Sequence, residues 1–173
     1  MDFVGPYDKQ AAKQHPPTLL TPLLAGWEFR PNLVLPTGAE GLMALAKVRN
    51  WQLTPALRQK LFNNKLAIIV TDRNQLIQYV NTHFEQMSGY SYHEMIGQRP
   101  NLLQGVGTSA EVRQRIRQAI AQQQSVDEWL LNYRKDQTEY GCHIRIWPIL
   151  NHRQELVNFV ALEQEVAPDV VSV

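Results

Sequence analysis

The chain has 173 residues, 17 Lys and Arg against 16 Asp and Glu, and 44% apolar residues. That is enough for one globular domain of ~150 residues with an appendage, or for two very small ones. The near-zero net charge leaves no footprint for duplex nucleic acid, the single cysteine excludes a disulfide framework and a thiolate-rich metal site, and no apolar run approaches the ~18 residues of a bilayer span.

The N-terminal stretch has no continuous apolar h-region, so no signal peptide is read and a cytoplasmic protein is expected. Seven of the ten prolines fall in residues 1–60, and proline locks φ and removes a backbone donor, which forbids a long regular element there. Residues 1–18 read as a flexible arm. Residues 19–64 read as a helical cap. Within it GAEGLMALAKVRNW makes about three turns with Leu42 and Leu45 on one side, and Thr54 caps a second helix with Pro55 at its first position. Helices this short are marginal alone in water, so they must pack on something.

From residue 66 the pattern changes. LAIIVTD, the turn DRNQ and LIQYVN predict a hairpin. Asn81 is placed to cap the helix THFEQMSG, and the pairs Ser91 with Glu94 and Thr108 with Glu111 have the spacing of capping boxes. In EVRQRIRQAIAQQ, Val112, Ile116, Ala119 and Ile120 form one apolar stripe, with Arg113, Gln114 and Arg117 on its flanks or outside. Three strands follow, VDEWLLNYRK, EYGCHIRIWPIL and ELVNFVALEQE, joined by short connectors that suit an antiparallel meander. Strands grouped apart from helices argue for an α+β fold: an antiparallel sheet with helices on one face.

The phrases IIVTDRNQLIQYVNTHFEQMSGYSYHEMIGQRPNLLQGVGTS, LLNYRKDQTEY and IRIWPILNHRQELVNFVALEQEV resemble a PAS domain over residues 65–167. The resemblance implies a five-stranded antiparallel sheet cupping a small cavity, preceded by the N-terminal helical extension and followed by a tail, 168–173. It also implies a sensor that relays its state to an effector or acts as a dimerisation platform. GQRPNLLQG is similar to a turn of the light-sensing LOV branch, in which a cysteine attacks a bound flavin. Here that position is Pro100, which has no nucleophile. Of the family's flavin contacts, Gln104, Arg117 and Asn132 match, whereas Arg99, Asn101, Cys142 and Glu163 depart from the pattern. PAS domains that hold FAD keep a tryptophan where Val126 stands, and the haem branch needs a helix histidine that is absent from 108–123. No cofactor is therefore expected, with FMN or FAD the alternative. Arg99, Gln104, Arg117, Asn132, Cys142 and Glu163 are the candidate cavity lining, and a small polar ligand is left open. A buried Glu163 requires a partner, expected to be one of the arginines or another donor.

Other chemistries find little support. His15, His83, His93, His143 and His152 have no ligand-type spacing, so no metal site is read. Cys142 and His143 are adjacent on a strand and point to opposite faces, which excludes a thiol–imidazole pair. No glycine-rich phosphate loop or nucleophile elbow occurs, so no enzymatic site is read. The Arg113–Arg117 surface reads as a solvated helix face.

Strand alternation separates two faces, and the resemblance implies that Trp129, Leu131, Tyr133, Trp147, Val160 and Leu162 lie on the outer one, an apolar patch too large to leave in water. The cap, a second subunit or both must cover it. The function expected is a sensor or adaptor module that homodimerises through this face and signals to a separate partner, because no output segment follows VAPDVVSV. The alternative is a flavin photoreceptor or redox sensor with an altered site.

Overall fold

In the computed structural model, residues 39–61 and 65–171 are described. The expected arm at 1–18, and the part of the cap before residue 39, lie outside the described residues. Two helices come first, α1 (Ala39–Val48) and α2 (Pro55–Leu61). Pro55 stands at the first helical position, and Thr54 Oγ1 accepts from the Leu57 amide at 3.2 Å.

The hairpin forms from β1 (Ala67–Asp72) and β2 (Ile77–Val80). Asp72 builds its turn by accepting from the Asn74 and Leu76 amides at 2.8 and 2.9 Å. Helices α3 (Thr82–Ser88) and α4 (Tyr92–Met95), a 3-10 turn at Pro100–Leu103, and α5 (Ala110–Ala121) cross over to the second run of strands. Asn81 caps α3: its Oδ1 accepts from the Phe84 amide at 3.0 Å and from the Ile68 amide at 2.9 Å. Gly89 closes the helix in the left-handed region at φ 76°. The cap of α5 is not Thr108. Ser109 takes that place, accepting from the Val112 amide at 3.3 Å, while the Thr108 hydroxyl donates to the Leu131 carbonyl at 2.6 Å. Tertiary contact outbids the local motif.

Strands β3 (Val126–Tyr133), β4 (Glu139–Leu150) and β5 (Leu156–Val166) complete one antiparallel sheet of order β2-β1-β5-β4-β3. The register sets both faces. Ile69, Ile144, Ile146, Ala161 and Glu163 share the inner face beneath α5, which packs along β3. Ile68, Val70, Trp147, Val160 and Leu162 share the outer face.

Half of that outer face is closed by the chain itself. Val160 and Leu162 are 0% exposed, and they join Leu42, Leu45, Trp51 and Leu61 in one buried cluster. Of the covers expected for this face, the chain's own helices are the one present over these two residues, and this leaves neither of them for a second subunit to reach. After β5, Pro168–Val171 is a 3-10 turn, not a plain tail, and it packs on β4 and β3. Gly141 permits the crossing, because a Cβ there would lie 2.7 Å from the Ala167 carbonyl oxygen. Among the described residues no helix is long and apolar enough to cross a membrane.

Candidate functional site

A cavity of about 450 Å³ lies between the inner sheet face and the helices, within the range of small-molecule sites. Its floor is apolar and comes from four strands: Ile69 of β1, Leu130 of β3, Ile144 and Ile146 of β4, Phe159 and Ala161 of β5. Ile116 and Ile120 of α5, with Pro100 and Leu103 of the 3-10 turn, form the roof.

Polar groups break this lining at chosen points. Arg99, Gln104, Arg117, Asn132 and Glu163 all line the cavity, so five of the six candidate residues come together. Cys142 is the sixth. It is fully buried on the inner face beside the cavity, without forming part of its wall. Sequence reasoning missed Arg113, read as part of a solvated face. It lines the cavity, and its Nε is buried without a partner. Residues 113, 116, 117 and 120 follow i, i+3, i+4, i+7 spacing, and that was the available signal. Thr71, Gln75 and Asn101 were also missed as lining residues. The three guanidiniums give the cavity a cationic mouth.

Two orphaned oxygens face the interior. Asn132 Oδ1 is buried without a hydrogen-bond partner. Glu163 Oε2 has no partner at all. Of the partners expected for Glu163, an arginine or another donor, it is another donor that lies beside it. Its neighbour is the Cys142 thiol, whose hydrogen bond favours the charged form but is outweighed by burial, so the carboxyl rises to about 7. Burial likewise pushes the Cys142 thiol up, with Glu163 adding to the effect, which leaves it unreactive.

On the outer face, Trp129 is 42% exposed and stacks flat on His143 at 4.0 Å. His143 Nε2 in turn lies 2.6 Å from Asp127 Oδ1. Leu131 and Tyr133 are half-buried against the glycine turn at 105–107, where Tyr133 accepts from the Gly107 amide at 2.9 Å. Trp147 is half-buried under Lys60, whose Nζ sits 5.1 Å from the ring centroid. Among the described residues no three metal-binding side chains come together.

A cavity capped by short helices on a sheet of this order is the architecture of one sensor class, and a model of the PAS domain matches residues 65–167. The chain belongs to the PAS domain family, whose members serve as sensor domains in signalling. It is 34% identical over 109 residues to the blue-light photoreceptor of Listeria monocytogenes, covering 61% of this chain and 43% of that protein. It is 33% identical over 102 residues to the nitrogen fixation regulatory protein of Klebsiella oxytoca, covering 59% and 21%. The matched region thus spans less than half the length of either relative. Among solved structures, the LOV domain of a blue-light-activated histidine kinase from Erythrobacter litoralis superposes with TM-score 0.56 at 28% identity, covering 59% of this chain and 96% of that one. The light-state Aureochrome1 LOV domain superposes with TM-score 0.60 at 26% identity, covering 69% and 93%.

These likenesses overturn the expectation that no cofactor is held. The chain is similar to light-oxygen-voltage domains and to a blue-light photoreceptor, a likeness at odds with a domain that holds no chromophore. One of the departures counted against a flavin, Glu163 in place of the family's residue, does not remove a donor from the cavity. Fully buried without a cationic partner, it holds a proton to about neutral pH and can donate.

Proposed function

We propose that this domain is a flavin-binding LOV-type sensor, an input module without an enzymatic site of its own, whose state is relayed to a separate effector. The observation that carries this reading is the cavity: a flat apolar floor, a set of uncommitted polar side chains, and a mouth bearing three arginines. The residues fit a flavin. Ile144, Ile146, Phe159 and Leu130 suit the faces of a planar ring; Gln104, Asn132 and Glu163 suit its polar edge. Arg99, Arg113 and Arg117 suit an anionic tail such as a phosphate, for which guanidinium groups are well shaped. When bound, a flavin supplies blue-light absorption and redox chemistry.

The position of the chain's single thiol supports a reading without the LOV cysteine bond. Cys142 belongs to the sheet, while the 3-10 turn at the cavity carries Pro100. The reading is therefore of a sensor that responds to light or redox state without cysteine chemistry.

Homodimerisation belongs to the same proposal, through the part of the outer face that the chain leaves open. Trp129 supports it as an exposed aromatic anchor, with half-buried Leu131, Tyr133 and Trp147 on the same face. Val160 and Leu162 act behind it as packing, not as contacts.

The decisive experiment is an absorption spectrum of the purified full chain, as isolated and after mixing with FMN, FAD or riboflavin. A protein-bound flavin band in the blue is expected, and its light response should be unchanged in Cys142→Ala. A chain that takes up none of the three flavins overturns the reading.

A further inference from the structure

Among the described residues, Glu163 is the only acid in the cavity wall. It is 2% exposed, and no arginine or lysine pairs with it. The groups that face it can be taken element by element. From β4 come the Cys142 thiol, hydrogen-bonded to the carboxyl, and the Tyr140 phenol. On β5 itself, Glu165 is committed to Arg134 at 2.7 Å. Across the cavity stand Arg113 and Arg117 of α5 and Arg99 before the 3-10 turn, none of them in an ion pair with it.

An ionised Glu163 would be a lone buried anion, which costs several kcal/mol or more, so the group keeps its proton instead. A protonated carboxyl has one O–H to give. The protein offers nothing to Oε2. The missing acceptor must come from within the cavity.

We infer that Glu163 serves the cavity as a carboxylic acid that donates its O–H to a carbonyl-type acceptor on the bound heterocycle, so that ligand uptake is coupled to retention of one proton. This rests on the flavin reading for the identity of the acceptor, a ring carbonyl. The sign follows directly. At low pH the donor is present and binding is strongest. As pH rises through the carboxyl's titration, binding must first restore the proton. Affinity then falls by about tenfold per pH unit, the slope for one proton. Burial already places the unliganded group near 7, so this loss falls in the neutral-to-alkaline range. The acid also selects among ligands: one that presents only N–H donors at that edge leaves the O–H unpaired.

The test uses the full chain freed of ligand. FMN is titrated in from about pH 6 to about pH 9, with wild type and Glu163→Gln compared by fluorescence quenching. Wild-type affinity should fall at least ~10-fold over that range, while the Gln variant, which keeps a neutral donor, should hold its affinity at the alkaline end. Infrared spectra of the ligand-free chain supply an independent readout. A protonated carboxyl C=O band should be present in the wild type at about pH 6, and absent from Glu163→Gln. A wild-type affinity as flat with pH as the variant's, or absence of that band, overturns the inference while leaving the flavin reading intact. Failure of both proteins to bind FMN, FAD or riboflavin at any pH overturns the flavin reading, and the infrared band alone then decides whether Glu163 is held as an acid.

Discussion

Trp51 Nε1 donates a buried hydrogen bond to Asn158 Oδ1 at 2.8 Å, joining residues 107 positions apart. Asn158 is on β5, fully buried on the outer face, and its Nδ2 donates to the Thr71 carbonyl at 2.9 Å. One amide thus ties the segment after α1 to β5 and β1. The backbone reinforces it: the Gln52 amide donates to the Leu150 carbonyl at 2.8 Å.

Replacing Asn158 by Leu strands two buried partners, the Trp51 indole N–H and the Thr71 carbonyl. The expected loss is about 2–4 kcal/mol, at ~1–3 kcal/mol for each unsatisfied group, read from urea unfolding. Trp51→Phe, which removes the donor but keeps most of the apolar area, should cost less. If Asn158→Leu unfolds at the wild-type urea midpoint, the segment is not docked through this bond.

Asn81 is the second polar anchor. Its carboxamide serves the Phe84 and Ile68 amides as acceptor and the Leu66 carbonyl as donor at 2.9 Å. Asn81→Ala should lower stability by about 2–4 kcal/mol, beyond the ~1 kcal/mol of an ordinary N-cap, because strand and helix both lose a partner. Asn81→Asp should recover part of this, since it keeps the acceptor and loses the donor. A loss no greater than that of a simple cap would show that β1 does not depend on it.

Gly105 lies against the Tyr133 ring, and a Cβ there would fall 2.4 Å from Cε2. Gly105→Ala must displace the ring, and with it the Tyr133 hydroxyl that joins Gly107 to Glu139. A cost of about 1–3 kcal/mol is expected. Combined with Tyr133→Ala, the same change should cost clearly less than the two separate losses added together. Strict additivity would show that the ring and the glycine do not meet in solution.

Glu163 gives the stability curve an unusual slope. Its carboxyl stands at about 7 in the folded chain against an ordinary value of 4.5, so the folded state binds more protons between those values. Stability from this group is therefore greatest in acid, and it declines as pH rises through that window. The full difference is about 3 kcal/mol, reached once both states are ionised. Carboxyls that accept hydrogen bonds run the other way. Glu128 is held below its ordinary value by Arg115, and Glu94, at about 2, by Lys135 and Ser91, so their contributions are lost in acid. Subtracting the Glu163→Gln profile isolates the first effect: the variant should gain on wild type steadily from about pH 5 to about pH 8. Parallel profiles would show Glu163 ionised or solvated.

Trp129 should set the oligomeric state. Trp129→Asp is expected to turn a dimer into a monomer in sedimentation, while unfolding stability falls by no more than about 1.5 kcal/mol, the scale of the lost ring stack on His143. A variant that sediments as the wild type does removes this face as the contact.

Much of this was readable along the chain, because the signals are local. Asn81 and Thr54 cap helices through side chains that reach only three residues ahead. The alternation from 126 to 166 sorts residues between two faces, since successive side chains on a strand point oppositely. The alternation separates Asn132 from Trp129, and the resemblance to PAS domains implied that Asn132 and Glu163 face the cavity. What lies on each face is a different matter, decided by elements distant in sequence. Val160 has the pattern of an outer-face residue and is sealed by its own chain. Thr108 has the spacing of a cap and is claimed by the Leu131 carbonyl, 23 residues on. Arg113 reads as solvated and lies over a cavity whose opposite wall is four strands. Above all, whether residue 163 is a carboxylate or an acid depends on its desolvation by every surrounding element and on the lack of a cation among them. That sum of contacts exists only once the sheet and α5 have closed around it.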